Sequence, residues 1–197
     1  MNCLVVIAHP SSDSLCATMA RKAIESLRTA GHEVVVEDLY AHAFAPALTA
    51  GERASYYETA HDTAAVTAEI GRLQAAEGLV LCFPTWWFGF PAILKGWFDR
   101  VWAPGVAYDH ADDLGPIKPR LAGLRKVLAV TSLGAPWWAD RIVMRQPVKR
   151  VLKQAILGAC APNAEFEMLS LYKAEKLDAG EVQRFARKVE RALAGWR

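Results

Sequence analysis

Three short stretches of the chain carry residue types that could do chemistry. The first is Ala8-His9-Pro10-Ser11-Ser12-Asp13-Ser14-Leu15-Cys16. Its serines and aspartate are helix-capping residues placed just ahead of an apolar run with helical spacing. A helix N-terminus offers unpaired N–H groups and a partial positive charge, which suits a phosphate. Ser12 and Ser14 add hydroxyls, and His9 could add a charge-assisted donor. The same serines could serve as caps alone, and His9 as a structural histidine. The stretch contains neither GxGxxG nor GxxxxGK[ST], which argues against a Rossmann-held dinucleotide and against a nucleotide triphosphatase.

The second stretch is Pro84-Thr85-Trp86-Trp87-Phe88-Gly89-Phe90-Pro91, continuing through Ala92 to Val101. Three consecutive aromatics followed by glycine could form a flat apolar wall, with backbone N–H and C=O groups for the polar edge of a ring. Trp97, Phe98 and Trp102 recur at helical spacing and are assigned to core or to a subunit contact, where aromatics are also common. The third stretch, Thr131-Ser132-Leu133-Gly134-Ala135-Pro136-Trp137-Trp138, is a turn with two further tryptophans.

Position is what would turn these stretches into a site. Continuous aliphatic and β-branched runs at 4–8, 34–37, 79–83, 127–130 and 166–171 read as five strands, most of them buried on both faces. Helical spacing marks Leu15 to Leu27, Val66 to Leu73, Ile93 to Val101, roughly 139–158, and Val182 to Leu193. Gly31 stops the first of these helices, Gly78 is expected to end the second, and Asp178 with Glu181 forms a capping-box start for the last. Residues 41–61 read as an excursion with one short helix, and 103–123 as a long loop, functional or mobile by its length.

Strands alternating with helices give an α/β fold, a five-stranded parallel sheet with helices on both faces. Its expected strand order is 2-1-3-4-5, flavodoxin-like, in a single domain over 1–197. Ligands of such sheets bind beyond the carboxyl ends of the strands, where strands 1 and 3 diverge. That rule brings the loops 9–16, 84–90 and 131–138 together.

Composition narrows the function classes. The chain has 197 residues, 23 bases against 21 acids, and seven tryptophans, four of them between positions 86 and 102. The near-neutral balance with acids and bases mixed indicates no nucleic-acid footprint and no polybasic membrane patch. The first residues lack the basic lead and cleavage site of a signal peptide, and no apolar run is long enough to span a bilayer. Four scattered cysteines without a CxxC pair fit reduced thiols and a cytoplasmic location better than a disulfide frame or a metal site.

The block from Pro84 to Val101 resembles the P-x-x-W-F-x-x-P-A-x-L-K-x-W-x-D-R-V segment of the NAD(P)H:quinone oxidoreductases. These include the DT-diaphorase-like, modulator-of-drug-activity and potassium-efflux ancillary types. Ala8-His9-Pro10 with Ser14-Leu15-Cys16 resembles the family's phosphate loop. Asp38-Leu39-Tyr40 with Phe44 and Pro46, Gly105-Val106-Ala107-Tyr108, and Thr131 with Gly134 resemble further motifs in the same order.

The resemblance implies FAD or FMN as cofactor. His9, Ser14, Leu15 and Cys16 would line the phosphates. Pro84, Thr85, Trp86, Trp87 and Phe88 would hold the isoalloxazine, with Thr131 and Gly134 on its other side. It further implies a homodimer with Tyr108 near the substrate across the contact. The implied reaction is a ping-pong hydride transfer from NAD(P)H through flavin to a quinone. Cys16 stands where the family usually has Asn. Leu133-Gly134-Ala135-Pro136 lacks the family's second glycine, and the loop after it lacks a Tyr and a His known from other members. No proton relay is therefore assigned, although His110 is a conceivable donor to a reduced quinone.

Other readings use the same residues. An FMN enzyme reducing azo or nitro compounds would differ in pocket shape. An ancillary subunit of a membrane transport protein would use 41–61 or 103–123 as a contact. A one-electron carrier would be strongly acidic, unlike this chain. A flavin-free binding module would leave the coincidence of features on three crevice loops unexplained.

Overall fold

The aliphatic runs form five parallel strands: β1 Asn2–Ile7, β2 Glu33–Asp38, β3 Gly78–Pro84, β4 Lys126–Leu133 and β5 Glu165–Tyr172. Their order in the sheet is 2-1-3-4-5, as the alternation of elements predicts. The computed structural model describes residues 1–58, 61–111 and 115–197. Val5 lies beside Val80, Val80 beside Leu128 and Leu128 beside Glu167, so the strand ends line up along one carboxyl edge.

Alternation along the strands splits the core into two layers. Leu4, Val6, Leu79, Leu81 and Phe83 face α3 (Thr67–Ala75), α4 (Ala92–Val101) and α5, a continuous helical run over 147–160. Cys3, Val5, Ile7, Val80 and Cys82 face α1 (Leu15–Thr29) and α6 (Ala179–Ala194). Ser14 caps α1, Asp178 and Glu181 form the expected capping box on α6, and Gly31 takes the left-handed conformation just past the end of α1.

Trp97 is fully buried, and its indole Nε1 donates to Glu37 Oε1 at 2.7 Å. Arg72 Nε donates to the other carboxylate oxygen at 2.8 Å. One buried carboxylate therefore ties β2, α3 and α4 together, and every polar atom involved has a partner. Trp97, Phe98 and Trp102 belong to the core, stacked edge to face on one another.

Three elements differ from the sequence reading. Gly78 does not end a helix: α3 stops at Ala75, and Gly78 opens β3 where a Cβ would lie 2.7 Å from the Trp196 ring. The helix expected over 139–158 is broken. A π-helical turn, Ala139–Val143, is followed by left-handed Arg145 and Gln146 (φ 56° and 50°), and Pro147 then starts α5 at its first turn. The loop 103–123 carries a short antiparallel pair, Tyr108–Asp109 with Lys118–Pro119; its positions 112–114 lie outside the described residues. The excursion 41–61 does contain one short helix, α2 (Ala50–Ala54).

Candidate functional site

The carboxyl edge of the sheet gathers the three loops. After β1, the Ser14 hydroxyl accepts from Ala17 N at 3.1 Å, which fixes the start of α1. The first N–H groups of the helix, those of Leu15 and Cys16, have no intrahelical acceptor and point out past its end. The Ser11 amide donates to His9 Nδ1 at 3.0 Å, which leaves Nε2 as the free ring nitrogen. The Cys16 side chain is buried in the core layer that also holds Met19 and Cys82. Burial pushes its thiol up to about 12, so the group stays protonated at neutral pH.

The loop after β3 has the least expected geometry. Gly89 N donates to Trp86 O at 2.9 Å and Trp86 N donates to Gly89 O at 3.2 Å, closing a two-residue turn. Such turns require positive φ at both central residues, normally Asn and Gly. Here the two positions are Trp87 and Phe88, at φ 51° and 54°. Large residues held in this region mark strain that persists where a site uses it. The Trp87 side chain is fully exposed, and the amides of Trp87 and Phe88 make no hydrogen bond among the described residues. The Trp86 ring sits 6.2 Å from the His9 ring, joining the first two loops.

Below the turn, Pro84 closes β3 and Thr85 N donates to Ser132 O at 2.9 Å. The buried hydroxyls of Thr85 and Thr131 pair at 2.8 Å, which joins the second loop to the third. Gly134 is exposed, and a Cβ there would lie 3.1 Å from Glu175 Oε1. Glu175 sits on the turn after β5 and was not singled out by sequence, since nothing in its spacing points to the crevice. Trp137 and Trp138 are both about half exposed, on a turn whose buried Asp140 accepts from Tyr172 OH at 2.8 Å.

Tyr108 is placed elsewhere. It lines a second cavity of about 530 Å³ with Tyr56, Phe90, Trp102, Ile156 and Cys160. Its hydroxyl pairs with that of Tyr56, and its ring meets His110 edge-on at 5.4 Å. Burial, and then the Tyr56 hydroxyl, push the Tyr108 phenol well above its ordinary range. Tyr57 and His110 stack at 5.0 Å beside them. Tyr56 and Tyr57 were missed in sequence because they lie in a segment without periodicity. Phe90, at the foot of the strained turn, lines this cavity as well.

The edge can hold an anion at the α1 start, a flat ring against the 86–88 turn, and a polar ring edge on unpaired amides. Among the described residues no cluster of His, Cys, Asp or Glu could hold a metal.

The chain matches the family described as flavodoxin-like fold over residues 1–193. It is 34% identical over 150 residues to NAD(P)H dehydrogenase [quinone] 1 of Rattus norvegicus, a match covering 67% of this chain and 53% of that protein. The chain thus spans about half the length of that relative. Among solved structures it is similar to NAD(P)H:quinone oxidoreductase from Methanothermobacter marburgensis, with TM-score 0.84, 26% identity, and 98% and 96% of the two chains covered. It is also similar to Smu.1420 from Streptococcus mutans UA159, with TM-score 0.85, 29% identity, and 98% and 99% covered.

Proposed function

The chain belongs to the flavodoxin-like family that includes the NAD(P)H:quinone oxidoreductases, and from that premise we propose that it binds a flavin and reduces quinones with NAD(P)H. The observation that carries this reading is the Trp86–Gly89 turn. It holds two aromatic residues at positive φ, exposes the Trp87 side chain and leaves two amides unpaired at the mouth of the crevice.

These residues fit a flavin. The N–H groups at the start of α1, with Ser14 and His9 beside them, suit its phosphate. The 86–88 backbone suits the polar edge of its ring, and the Thr85–Thr131 pair and Gly134 border the other side. When bound, the flavin supplies reversible two-electron hydride chemistry. The protein's own part is to hold the ring flat, to keep one face open for donor and then acceptor, and to exclude water with Trp137 and Trp138.

FAD is our reading of the cofactor, with FMN as the alternative. Tyr108 is the candidate acceptor-side residue. Its cavity is distinct from the strand-end crevice, so we place it over the flavin of a second copy, which makes the enzyme a homodimer. A cytoplasmic location completes the reading; no described helix is long and apolar enough to cross a membrane.

The test is the visible spectrum of the purified protein. A flavin spectrum bleached by NADPH and restored by a quinone is expected, and chromatography of the released chromophore separates FAD from FMN. A protein that binds neither flavin on titration would overturn the reading. Faster turnover with azo or nitro compounds than with any quinone would reassign the acceptor. Weak turnover with all of them, together with co-purification of a transport protein, would favour the ancillary-subunit reading.

A further inference from the structure

Two hydroxyls are buried at the carboxyl edge where packing alone asks for none. Thr131 continues along β4 the file of Val127 and Ala129, whose side chains face α3, α4 and α5. Phe83 belongs to the same layer on β3, and Thr131 lies beside it in the register. Just past Pro84, Thr85 brings its Oγ1 to 2.8 Å from Thr131 Oγ1. Thr131 is 3% exposed and Thr85 9%. Valine has the same β-branched shape and would fill both places without a polar atom.

The protons of this pair do not balance within the fold. Each hydroxyl carries one proton and can accept through its oxygen. One proton lies between the two oxygens. Whichever residue donates it, the other keeps a proton of its own. Among the described residues, neither hydroxyl makes any other hydrogen bond. Thr85 N already donates to Ser132 O at 2.9 Å, which fixes the backbone that carries the pair. Phe83 and Ala129, the neighbours on the inner side, have no polar side-chain atom. A buried donor without an acceptor is costly. The open direction is the crevice, on the side of Thr85, the less buried partner. The pair is complete when a molecule seated there accepts from it.

Such a donor tells charge states apart. A hydrogen bond strengthens as its acceptor becomes more negative, and a ring that has taken up a hydride holds more electron density than one that has not. We propose that Thr131 donates to Thr85, and that Thr85 donates to the ring seated in the crevice and holds its reduced form more tightly than its oxidised form. Thr85 touches the ring. Thr131 is a positioning residue, and its own hydrogen bond polarises the Thr85 hydroxyl into a better donor. Neither residue gains or loses a proton, and no covalent bond changes at either. That the ring is a flavin rests on the proposed function.

The test is the midpoint potential of flavin bound to the intact protein, measured by spectroelectrochemistry beside the affinity for oxidised flavin. Thr85→Val is expected to weaken binding of reduced flavin about tenfold more than that of oxidised flavin. For a two-electron couple this lowers the potential by about 30 mV. Thr85→Ser keeps the hydroxyl and should restore it. Thr131→Val should shift the potential the same way by less, because Thr85 keeps its proton and loses only its support. Thermal unfolding of the flavin-free protein reads the proton balance directly. Thr85→Val/Thr131→Val removes both hydroxyls and is expected to melt no lower than the wild type, while each single change, which strands one hydroxyl, should melt lower. A double variant melting well below the wild type would mean that the pair serves the fold alone, and would overturn the proposal. So would an unchanged potential in Thr85→Val, or equal weakening of both oxidation states; each of these leaves the proposed function standing. A protein that takes up no flavin would end both.

Discussion

Arg100 donates to a single oxygen of Glu52, Oε1, from both Nε at 2.9 Å and Nη2 at 2.6 Å. The other oxygen, Oε2, accepts from Thr49 N at 2.7 Å, and Arg100 Nη1 donates to Ala45 O. Both side chains are buried, so the pair fastens the 44–58 segment, and with it Tyr56, to α4. Removing one partner leaves a buried charge without its complement. Arg100→Ala and Glu52→Gln are each expected to cost about 3–5 kcal/mol in urea denaturation, and to loosen the Tyr108 cavity first. Burial alone would raise the Glu52 carboxyl, but the Arg100 and Thr49 hydrogen bonds outweigh it and hold it below 4.5. The folded value is thus below the unfolded one, so this contribution is full above pH 4.5 and is lost as pH falls through the lower folded value. Acid unfolding of Glu52→Gln should lack that component.

Two helical glycines should respond oppositely to alanine. At Gly96 a Cβ would fall 2.1 Å from Pro46 O, so α4 and the Pro46 segment cannot stay in contact. Gly96→Ala is expected to destabilise by about 1–3 kcal/mol despite the better helix propensity of alanine. At Gly71, on the exposed side of α3, a Cβ meets nothing within 4 Å. Gly71→Ala should stabilise by up to about 1 kcal/mol. Thermal unfolding of the two variants side by side checks both signs.

The split between what the sequence discloses and what it conceals follows from the range of the interactions. Leu4 to Val6 and Leu79 to Phe83 announce central strands because burial on both faces demands unbroken apolar runs. Strand order and topology then locate the crevice loops. The left-handed pair Trp87 and Phe88 is invisible, because positive φ is announced by Gly or Asn and neither stands there. The break at Arg145 and Gln146 is hidden beneath apolar residues whose spacing continues across it, although Pro147 marks where the new helix starts. The meeting of Tyr56 with Tyr108 joins residues 52 positions apart and has no periodic trace at all.

That meeting has a kinetic consequence under the proposed function. Tyr56 lines the same cavity as Tyr108 and holds its hydroxyl. Tyr56→Phe is expected to raise KM for the quinone several-fold while leaving flavin reduction by NADPH in single-turnover stopped flow unchanged. Tyr108→Phe should reproduce that split, and the double variant should add little. Equal slowing of both half-reactions by Tyr56→Phe would indicate a general loss of structure instead.

The strained turn sets stability against binding. Trp87 is fully exposed, so truncating it forfeits no packing, while glycine accepts its φ of 51° without the Cβ penalty. Trp87→Gly is therefore expected to stabilise the flavin-free protein by about 0.5–1 kcal/mol. The same change removes an aromatic wall from the proposed ring site, and flavin affinity should fall by tenfold or more. Calorimetry of the flavin-free protein and fluorescence titration with flavin measure the two effects separately. A Trp87→Gly protein that lost stability and kept its flavin affinity would mean that the turn serves the fold alone.

The thiols give the last prediction. Cys3, Cys16, Cys82 and Cys160 are all buried and free of disulfides. Burial pushes Cys3 and Cys160 up to about 11 and Cys16 up to about 12, and raises Cys82 as well. The thiolate is the reactive form, so at neutral pH these groups are shielded twice, by scarcity of thiolate and by lack of access. Alkylation of the native protein is expected to be slow and to track global unfolding, with all four thiols reacting at once in denaturant. Fast labelling of Cys16 alone would mean that the start of α1 opens in the native state. Because the proposed phosphate site is built from that same first turn, flavin binding under the proposed function should then suppress the labelling in proportion to its occupancy. The Cys16 reactivity is thus a direct gauge of how firmly the crevice is formed before any cofactor enters.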